Sequence, residues 1–230
     1  MKPSIQELFD RIKNSDVQKE PFEHLIVDNF LPDEFYKQLA KELESDNFAS
    51  NYERGPYGNI ERFGADLTDY KGWKNSGCKI TTTTHKRNYQ SLLSTNNKNI
   101  QMFVDLLLEN EKSFCSLLCS KLRTEKFQDN YFFHINMTKD RTNYTIEPHT
   151  DNTENIFTLL FYAPETDCNK DFGLTVYDNN KEVNKRIPFE PNKLIVFAPT
   201  DESWHGVDPL TNNLVGTRNS FQMFFYRNSC

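Results

Sequence analysis

The sequence predicts a mainly β domain with flanking helices: an antiparallel sandwich or barrel whose one sheet is covered by helices. Two observations carry this. From Tyr131 onward, short runs rich in β-branched and aromatic residues follow one another (YFFHINM, YTIEPH, NIFTLLFY, GLTVYD, LIVFAP, SFQMFFY), with Asn, Asp, Gly and Pro between them. Such runs at short spacing read as antiparallel strands. Before Tyr131, apolar residues recur mostly at helical spacing. A length of 230 residues fits one domain with a core of its own.

Taken in order, Ser4 to Lys13 reads as a short amphipathic helix, and PFEHLIVDNF (Pro21 to Phe30) as a strand. LPDEFYKQLAKELES follows, with Pro32 and Asp33 as a helix start and Phe35, Leu39 and Leu43 at helical spacing. Residues 47–77 are rich in Asn, Gly, Asp and Tyr and sustain no period. They are expected to form a long irregular segment, and such segments in compact domains tend to be functional. Asn96 to Leu122 is the strongest helical stretch, with Phe103, Leu106, Leu107, Phe114, Leu117 and Leu118 as its apolar stripe. No internal repeat or low-complexity tract is visible.

The bulk properties narrow the function. A net charge of -6 is a poor match for a phosphate backbone. The basic cluster His85-Lys86-Arg87 reads as a solvated turn. Five cysteines form no CxxC pair, and Cys115 and Cys119 fall inside an apolar helical pattern. This argues for a reducing, cytoplasmic compartment. The first residues do not have the pattern of a secretory leader, and no apolar run reaches spanning length.

The chemistry concentrates in the strand-rich half. EPHTD places His149 and Asp151 two residues apart, on one face if the chain is extended. Alone, such a pair is more often a hydrogen-bonded pair at a strand end than a metal site. A third group changes the balance: His205, in ESWHGVDP, follows the strand LIVFAP. Two histidines and one carboxylate make the facial triad of non-haem Fe(II) oxygenases, which leaves metal positions open for a cosubstrate and O2. Arg218 opens the last strand, expected to run beside the ligand-bearing strands. A guanidinium fits a carboxylate bidentately, and Ser220, two residues on, faces the same side.

With those residues in place, the chain resembles the Fe(II)- and 2-oxoglutarate-dependent dioxygenases, nearest the prolyl 4-hydroxylase-like branch. The matching pieces are PHTD (148–151), FYAPE (161–165), FGLTVYD (172–178), LIVFAP (194–199), SWHGVDPLT (203–211) and TRNSFQMFFY (217–226), with PFEHLIVDNFLPDEF as a lead-in. The resemblance covers most of residues 21–227 and rests chiefly on His149, Asp151, His205 and Arg218 in that order. It implies a double-stranded β-helix, or jelly-roll, core with N-terminal helices packed on one sheet. Residues 1–230 would be a single domain, 1–128 its helical part with 47–77 as substrate-loop candidate, and 129–228 the jelly-roll. His149, Asp151 and His205 would hold Fe(II), with no catalytic residue beyond them. Arg218, with Ser220, would bind the far carboxylate of 2-oxoglutarate, helped by Thr158 and Tyr162, whose spacing matches a Thr and a Tyr of that branch. O2 is the co-reactant, and ascorbate the candidate reductant. The chain departs from the family in lacking a glycine-containing turn before the HxD motif; Asn136 and Tyr144 are the two candidates for the tyrosine usual there. Tyr57, Arg62 and Trp73 are the substrate candidates of the 47–77 segment.

The reaction so implied is hydroxylation of an unactivated C–H, with succinate and CO2 released. A peptidyl, prolyl-type side chain ranks first as substrate. A free amino acid or small metabolite ranks second, and a non-catalytic iron- and 2-oxoglutarate-binding sensor third. Nucleic acid is disfavoured by charge and by Phe224, which stands where nucleic-acid demethylases have a further Arg. No membrane partner is expected, and the sequence gives no oligomeric state.

Overall fold

The computed structural model describes residues 3–45, 62–77, 97–124, 131–141, 144–152, 154–166, 170–208 and 217–227. Tyr57, the His85–Arg87 cluster, Cys78, Cys168 and Cys230 lie outside them.

The first half gives α1 (Ile5–Asn14), β1 (Val17–Gln18), β2 (His24–Val27), α2 (Asp33–Ser45), β3 (Arg62–Asp66), α3 (Tyr70–Asn75), α4 (Lys98–Glu109) and α5 (Glu111–Lys121). The second half gives β4 (Tyr131–Arg141), β5 (Ile146–His149), β6 (Asn155–Tyr162), β7 (Leu174–Tyr177), β8 (Val183–Ile187), β9 (Lys193–Phe197), β10 (His205–Val207) and β11 (Thr217–Arg227). They form two antiparallel sheets. The major sheet has seven strands in the order β1-β2-β9-β6-β11-β4-β3, and the minor sheet four, β5-β10-β7-β8.

The period of two along each central strand decides which layer it feeds. Phe133, Ile135 and Met137 of β4, Phe157, Leu159 and Phe161 of β6, and Phe221, Met223 and Phe225 of β11 join one core with Phe35, Leu39, Phe103, Leu107 and Phe114 of the helices. Phe133 and Phe225 stack at 4.1 Å between centroids. The opposite face is a smaller core, in which Leu160 and Tyr162 of β6 and Ile195 and Phe197 of β9 meet Leu174, Val176 and Ile187 of the minor sheet. The expected architecture is therefore present: a jelly-roll with its helices on one sheet.

Four expectations need correction. Beyond the strand expected over Pro21–Phe30, which is β2, the N-terminal part also supplies β1 and β3, so both edges of the major sheet come from it. The stretch 96–122 is two helices, joined at Asn110, whose backbone leaves helical geometry (φ -120, ψ 16) while its side-chain amide donates to the Leu106 carbonyl. The described end of the 47–77 segment is regular: β3 pairs with β4, and α3 is capped by Asp69, whose side chain accepts from the Gly72 N–H. Trp73 is fully buried, stacked on Phe132 and Tyr226. It anchors α3 on the sheet and is not available to a substrate. Finally, β11 does not run beside the strands that carry the two histidines; it lies in the facing sheet, because the chain crosses from the minor to the major sheet between β10 and β11.

His24 is fully buried on β2, its Nδ1 bonded to the Phe22 carbonyl at 2.8 Å. Burial pushes its pKa below the usual value, against that carbonyl and in concert with Lys185. In the unfolded chain the ring takes a proton near pH ~6.5, whereas in the folded chain it does so only at lower pH. The unfolded state therefore binds more protons over that window, and stability falls as pH drops through it. The denaturant midpoint of the metal-free protein is expected to fall on acidification below about pH 6.5, less steeply in His24→Phe. Equal slopes in both proteins would acquit His24. Phe225→Ala should cost about 3–5 kcal/mol in chemical unfolding, the range for deleting a buried aromatic ring; a loss under about 1 kcal/mol would contradict the packing described.

Candidate active site

The two histidines are brought together by strand pairing. β5 and β10 are antiparallel, with His149 directly opposite His205, and their ring centroids are 4.4 Å apart. Gly206 permits this approach: a Cβ there would stand 2.6 Å from the Ile146 carbonyl oxygen of β5. Asp151 lies just past the end of β5, and its Oδ1 is 3.8 Å from His205 Nε2. One ligand atom from each of His149, Asp151 and His205 lies within 4.8 Å of the others.

Each of the three is oriented for one donor atom. His149 Nδ1 is 2.8 Å from the Glu147 carbonyl and His205 Nδ1 2.9 Å from the Ser203 carbonyl. A carbonyl can only accept, so each Nδ1 carries the proton and each Nε2 presents a lone pair. The Thr158 hydroxyl donates to Asp151 Oδ2 at 2.5 Å, which leaves Oδ1, on the side of His205 Nε2, as the oxygen that could bind a metal. His205 is held neutral chiefly by burial, with His149 acting the same way and Asp151 and the Ser203 carbonyl opposing. Two neutral imidazoles and one carboxylate, on one side of a shared point, suit Fe(II) with open positions.

Arg218 stands across from this triad on the major sheet, 1% exposed. Its Nη1 donates to Asp140 Oδ2 at 2.9 Å and its Nη2 reaches the Tyr162 hydroxyl at 3.5 Å. Its Nε is buried with no hydrogen-bond partner among the described residues. Burial alone would press the guanidinium toward neutrality, but Tyr162 and Asp140 outweigh it and keep it a cation. The Nε–Nη2 edge is the one that grips a carboxylate bidentately, and an orphaned buried donor there calls for an acceptor. The residues thus fit both an iron ion and a dicarboxylate cosubstrate.

Asp140 is the group sequence reading passed over. It is 1% exposed and takes a second guanidinium: Arg62 Nε and Nη2 donate to its two oxygens at 2.7 and 2.8 Å. Arg62, a substrate candidate by sequence, sits instead behind Arg218, with its guanidinium 4.1 Å from the Tyr144 ring centroid. One carboxylate between two guanidiniums leaves one positive charge, which suits one further carboxylate. The alternation of YFFHINMTKDR, which gives one face of a central strand His134, Asn136, Thr138 and Asp140, was the available signal.

The remaining candidates separate. Tyr162 stands with Arg218, whereas Thr158 serves Asp151. Ser220 shares a 2.8 Å hydrogen bond with Thr138. Tyr144 is buried near Arg62, while Asn136 sits further along β4, opposite Gln222 and Asp66.

The family model of the 2OG-Fe(II) oxygenase superfamily matches residues 133–226. A comparison with curated protein sequences found no match. Among solved structures, the chain resembles a prolyl hydroxylase from Trichoplax adhaerens in complex with a hypoxia-inducible-factor oxygen degradation domain peptide fragment (TM-score 0.57, 13% identity, 96% of this chain and 88% of that one). It also resembles a prolyl-4-hydroxylase from Pseudomonas putida (TM-score 0.54, 16% identity, 96% and 97%). A third is the dioxygenase for auxin oxidation 1 from Arabidopsis thaliana, bound to 2-oxoglutarate (TM-score 0.55, 13% identity, 96% and 87%). At these identities the likeness is one of fold.

Thr158→Val keeps the shape of the side chain and removes the donor to Asp151. Affinity for Fe(II), or for Co(II) as a spectroscopic substitute, is expected to fall about 10- to 100-fold, the usual effect of losing a ligand's outer partner. An unchanged metal titration would mean that Asp151 is not a ligand or is oriented by another group.

Proposed function

We propose that this chain, a member of the 2OG-Fe(II) oxygenase superfamily that uses Fe(II), 2-oxoglutarate and O2, hydroxylates an unactivated C–H of a peptidyl, prolyl-type side chain. The observation that carries the reaction class is the pairing of two half-sites on facing sheets. His149, Asp151 and His205 converge on one side, and on the other Arg218 presents a guanidinium whose buried Nε has no partner among the described residues. The peptidyl reading is supported by the peptide held by the similarly folded Trichoplax enzyme.

Bound Fe(II) and 2-oxoglutarate supply the oxidising chemistry: one oxygen atom of O2 goes to the substrate C–H, and the other to succinate as CO2 leaves. The chain's own residues hold and shield. His149 and His205 offer Nε2, each fixed by a backbone carbonyl, and Asp151 offers the oxygen that Thr158 leaves free. Arg218 holds the far carboxylate of 2-oxoglutarate, with Tyr162 as a second donor. Leu160, Leu174, Val176 and Phe189 share the apolar core around Tyr162 and keep water from that ion pair, which strengthens it. Among the described residues no helix is long and apolar enough to cross a membrane.

The test is succinate release from 2-oxoglutarate by the Fe(II)-loaded protein, with and without proline-containing peptides. His205→Ala should abolish release. Arg218→Lys keeps a charge but loses the fork, so KM for 2-oxoglutarate should rise about 10- to 100-fold, as expected for removing one charge-assisted hydrogen bond, with kcat less affected. A protein that binds iron and 2-oxoglutarate but releases no succinate with or without peptide would be a binding module and not an enzyme.

A further inference from the structure

The inner face of the major sheet continues past the triad, and its residues can be read row by row. Thr158 of β6, which holds Asp151, is opposite Phe224 of β11, which is opposite His134 of β4. Strands are spaced by about 4.8 Å, so His134 lies about 10 Å from the Thr158 strand, across the Phe224 ring. In the next row, Gln222 is opposite Asn136, and Asn136 opposite Asp66 of β3. The apolar core of the minor sheet involves β6, β9 and its own strands, and none of its residues come from β11, β4 or β3.

Two features mark this floor. It is aromatic: Tyr70 stacks on His134 at 4.6 Å and lies 5.0 Å from Tyr226, which lies 5.6 Å from Phe224. Tyr70, Phe224 and Tyr226 each keep part of their surface exposed. The floor is also rich in acceptors. His134 Nε2 meets Asp66 Oδ1 at 2.9 Å, and its Nδ1 is buried with no partner among the described residues. With the Nε2 proton given to Asp66, Nδ1 is a lone pair. Asn136 Oδ1 is a second buried acceptor without a partner, lying over Gly64, where a Cβ would come within 3.2 Å of it. Buried acceptors left unpaired are costly and call for a donor.

We propose that this floor is a substrate subsite for a basic side chain, the ammonium of lysine or the guanidinium of arginine, close in sequence to the hydroxylated residue of the peptide. The assignment rests on the peptidyl reading above. A cation with several N–H groups answers every feature at once: the aromatic faces, the carboxylate of Asp66, the His134 lone pair and the Asn136 carbonyl. The same cluster already attracts an internal ammonium at its other edge, where Lys74 Nζ stands 5.0 Å from the Trp73 ring centroid and is paired with Glu154. A glutamyl side chain would meet the like charge of Asp66.

The experiment uses the Fe(II)-loaded protein and a set of blocked peptides, alike except for lysine, arginine, norleucine or glutamate beside a proline. Succinate release gives KM and kcat, and fluorescence anisotropy of labelled peptides gives binding. Lysyl and arginyl peptides are expected to bind about tenfold more tightly than the norleucyl one, the scale of a partly desolvated cation–π contact, and the glutamyl peptide more weakly still. Asp66→Asn, at a side chain 24% exposed, should bring lysyl and norleucyl peptides together, and Asn136→Leu should do so in part. Equal affinities across the set, or no binding of any peptide, would overturn the subsite. Tight lysyl binding that depends on Asp66, without succinate release, would keep the subsite and refute the hydroxylase reading instead.

Discussion

β11 is hydrogen-bonded on both sides, to β4 from Thr217 to Arg227 and to β6 from Ser220 to Tyr226, and the site depends on that register. Its odd positions, Phe221, Met223 and Phe225, fill the core under the helices. Its even positions, from Arg218 to Tyr226, therefore all face the interior of the jelly-roll. A slip of one residue would bury the arginine among phenylalanines and turn the apolar side chains toward the triad. Packing of the helical face thus aligns the polar face: the register that stabilises the fold also sets Arg218 opposite Asp140, Ser220 opposite Tyr162 and Phe224 opposite Thr158.

That placement raises an electrostatic problem, which Asp140 resolves. A lone guanidinium at 1% exposure would cost several kcal/mol in lost solvation. A single carboxylate would cancel its charge and leave nothing to attract an anion. Asp140 instead bonds both Arg218 and Arg62, and Arg62 is the more exposed of the two, at 17% against 2% for the side chain. Solvent shares the cost of the outer cation, while the inner one keeps an edge free. The result is a buried site with one positive charge to spare and a shape that suits a carboxylate.

The parts of this arrangement legible in the sequence were those whose residue types are costly to place without purpose. His149, Asp151, His205 and Arg218 stand out in the sequence by the two-residue spacing of the HxD pair and by their order along the chain, and the strands by β-branched and aromatic runs that alternate with turn residues. What escaped notice depends on contacts between distant segments. β3 has only five residues, RFGAD, two charged and one glycine, and becomes a strand because β4 offers it an edge. Asn110 breaks a continuous apolar stripe through its own backbone geometry and a side-chain bond, which periodicity does not register. Sheet membership of β11 was misread because adjacency in sequence says nothing about which of two facing sheets a strand enters. Arg62 was noticed as a recognition residue, yet its partner Asp140 lies in a strand 78 positions away.

The unequal widths of the sheets explain why the site opens where it does. Four strands cannot cover seven, and the apolar contacts of the minor sheet fall on β6 and β9. There the inner face is Leu160, Tyr162, Ile195 and Phe197, an ordinary hydrophobic interface. On β11, β4 and β3 the same face changes to Arg218, Asp140 and Arg62 at one end, Gln222 and Asn136 in the middle, and Phe224, His134 and Tyr226 at the other. Arg218 and Asp140 are tolerable there although buried because they pair with each other and with Arg62, whereas His134 Nδ1 and Asn136 Oδ1 carry a desolvation cost until a donor reaches them. The ligand-bearing strands β5 and β10 form the margin of the minor sheet next to this region. A metal ion held there would face Arg218 on one side and the aromatic, acceptor-rich floor on the other, so the same register would hold an anionic cosubstrate and a substrate apart on either side of it.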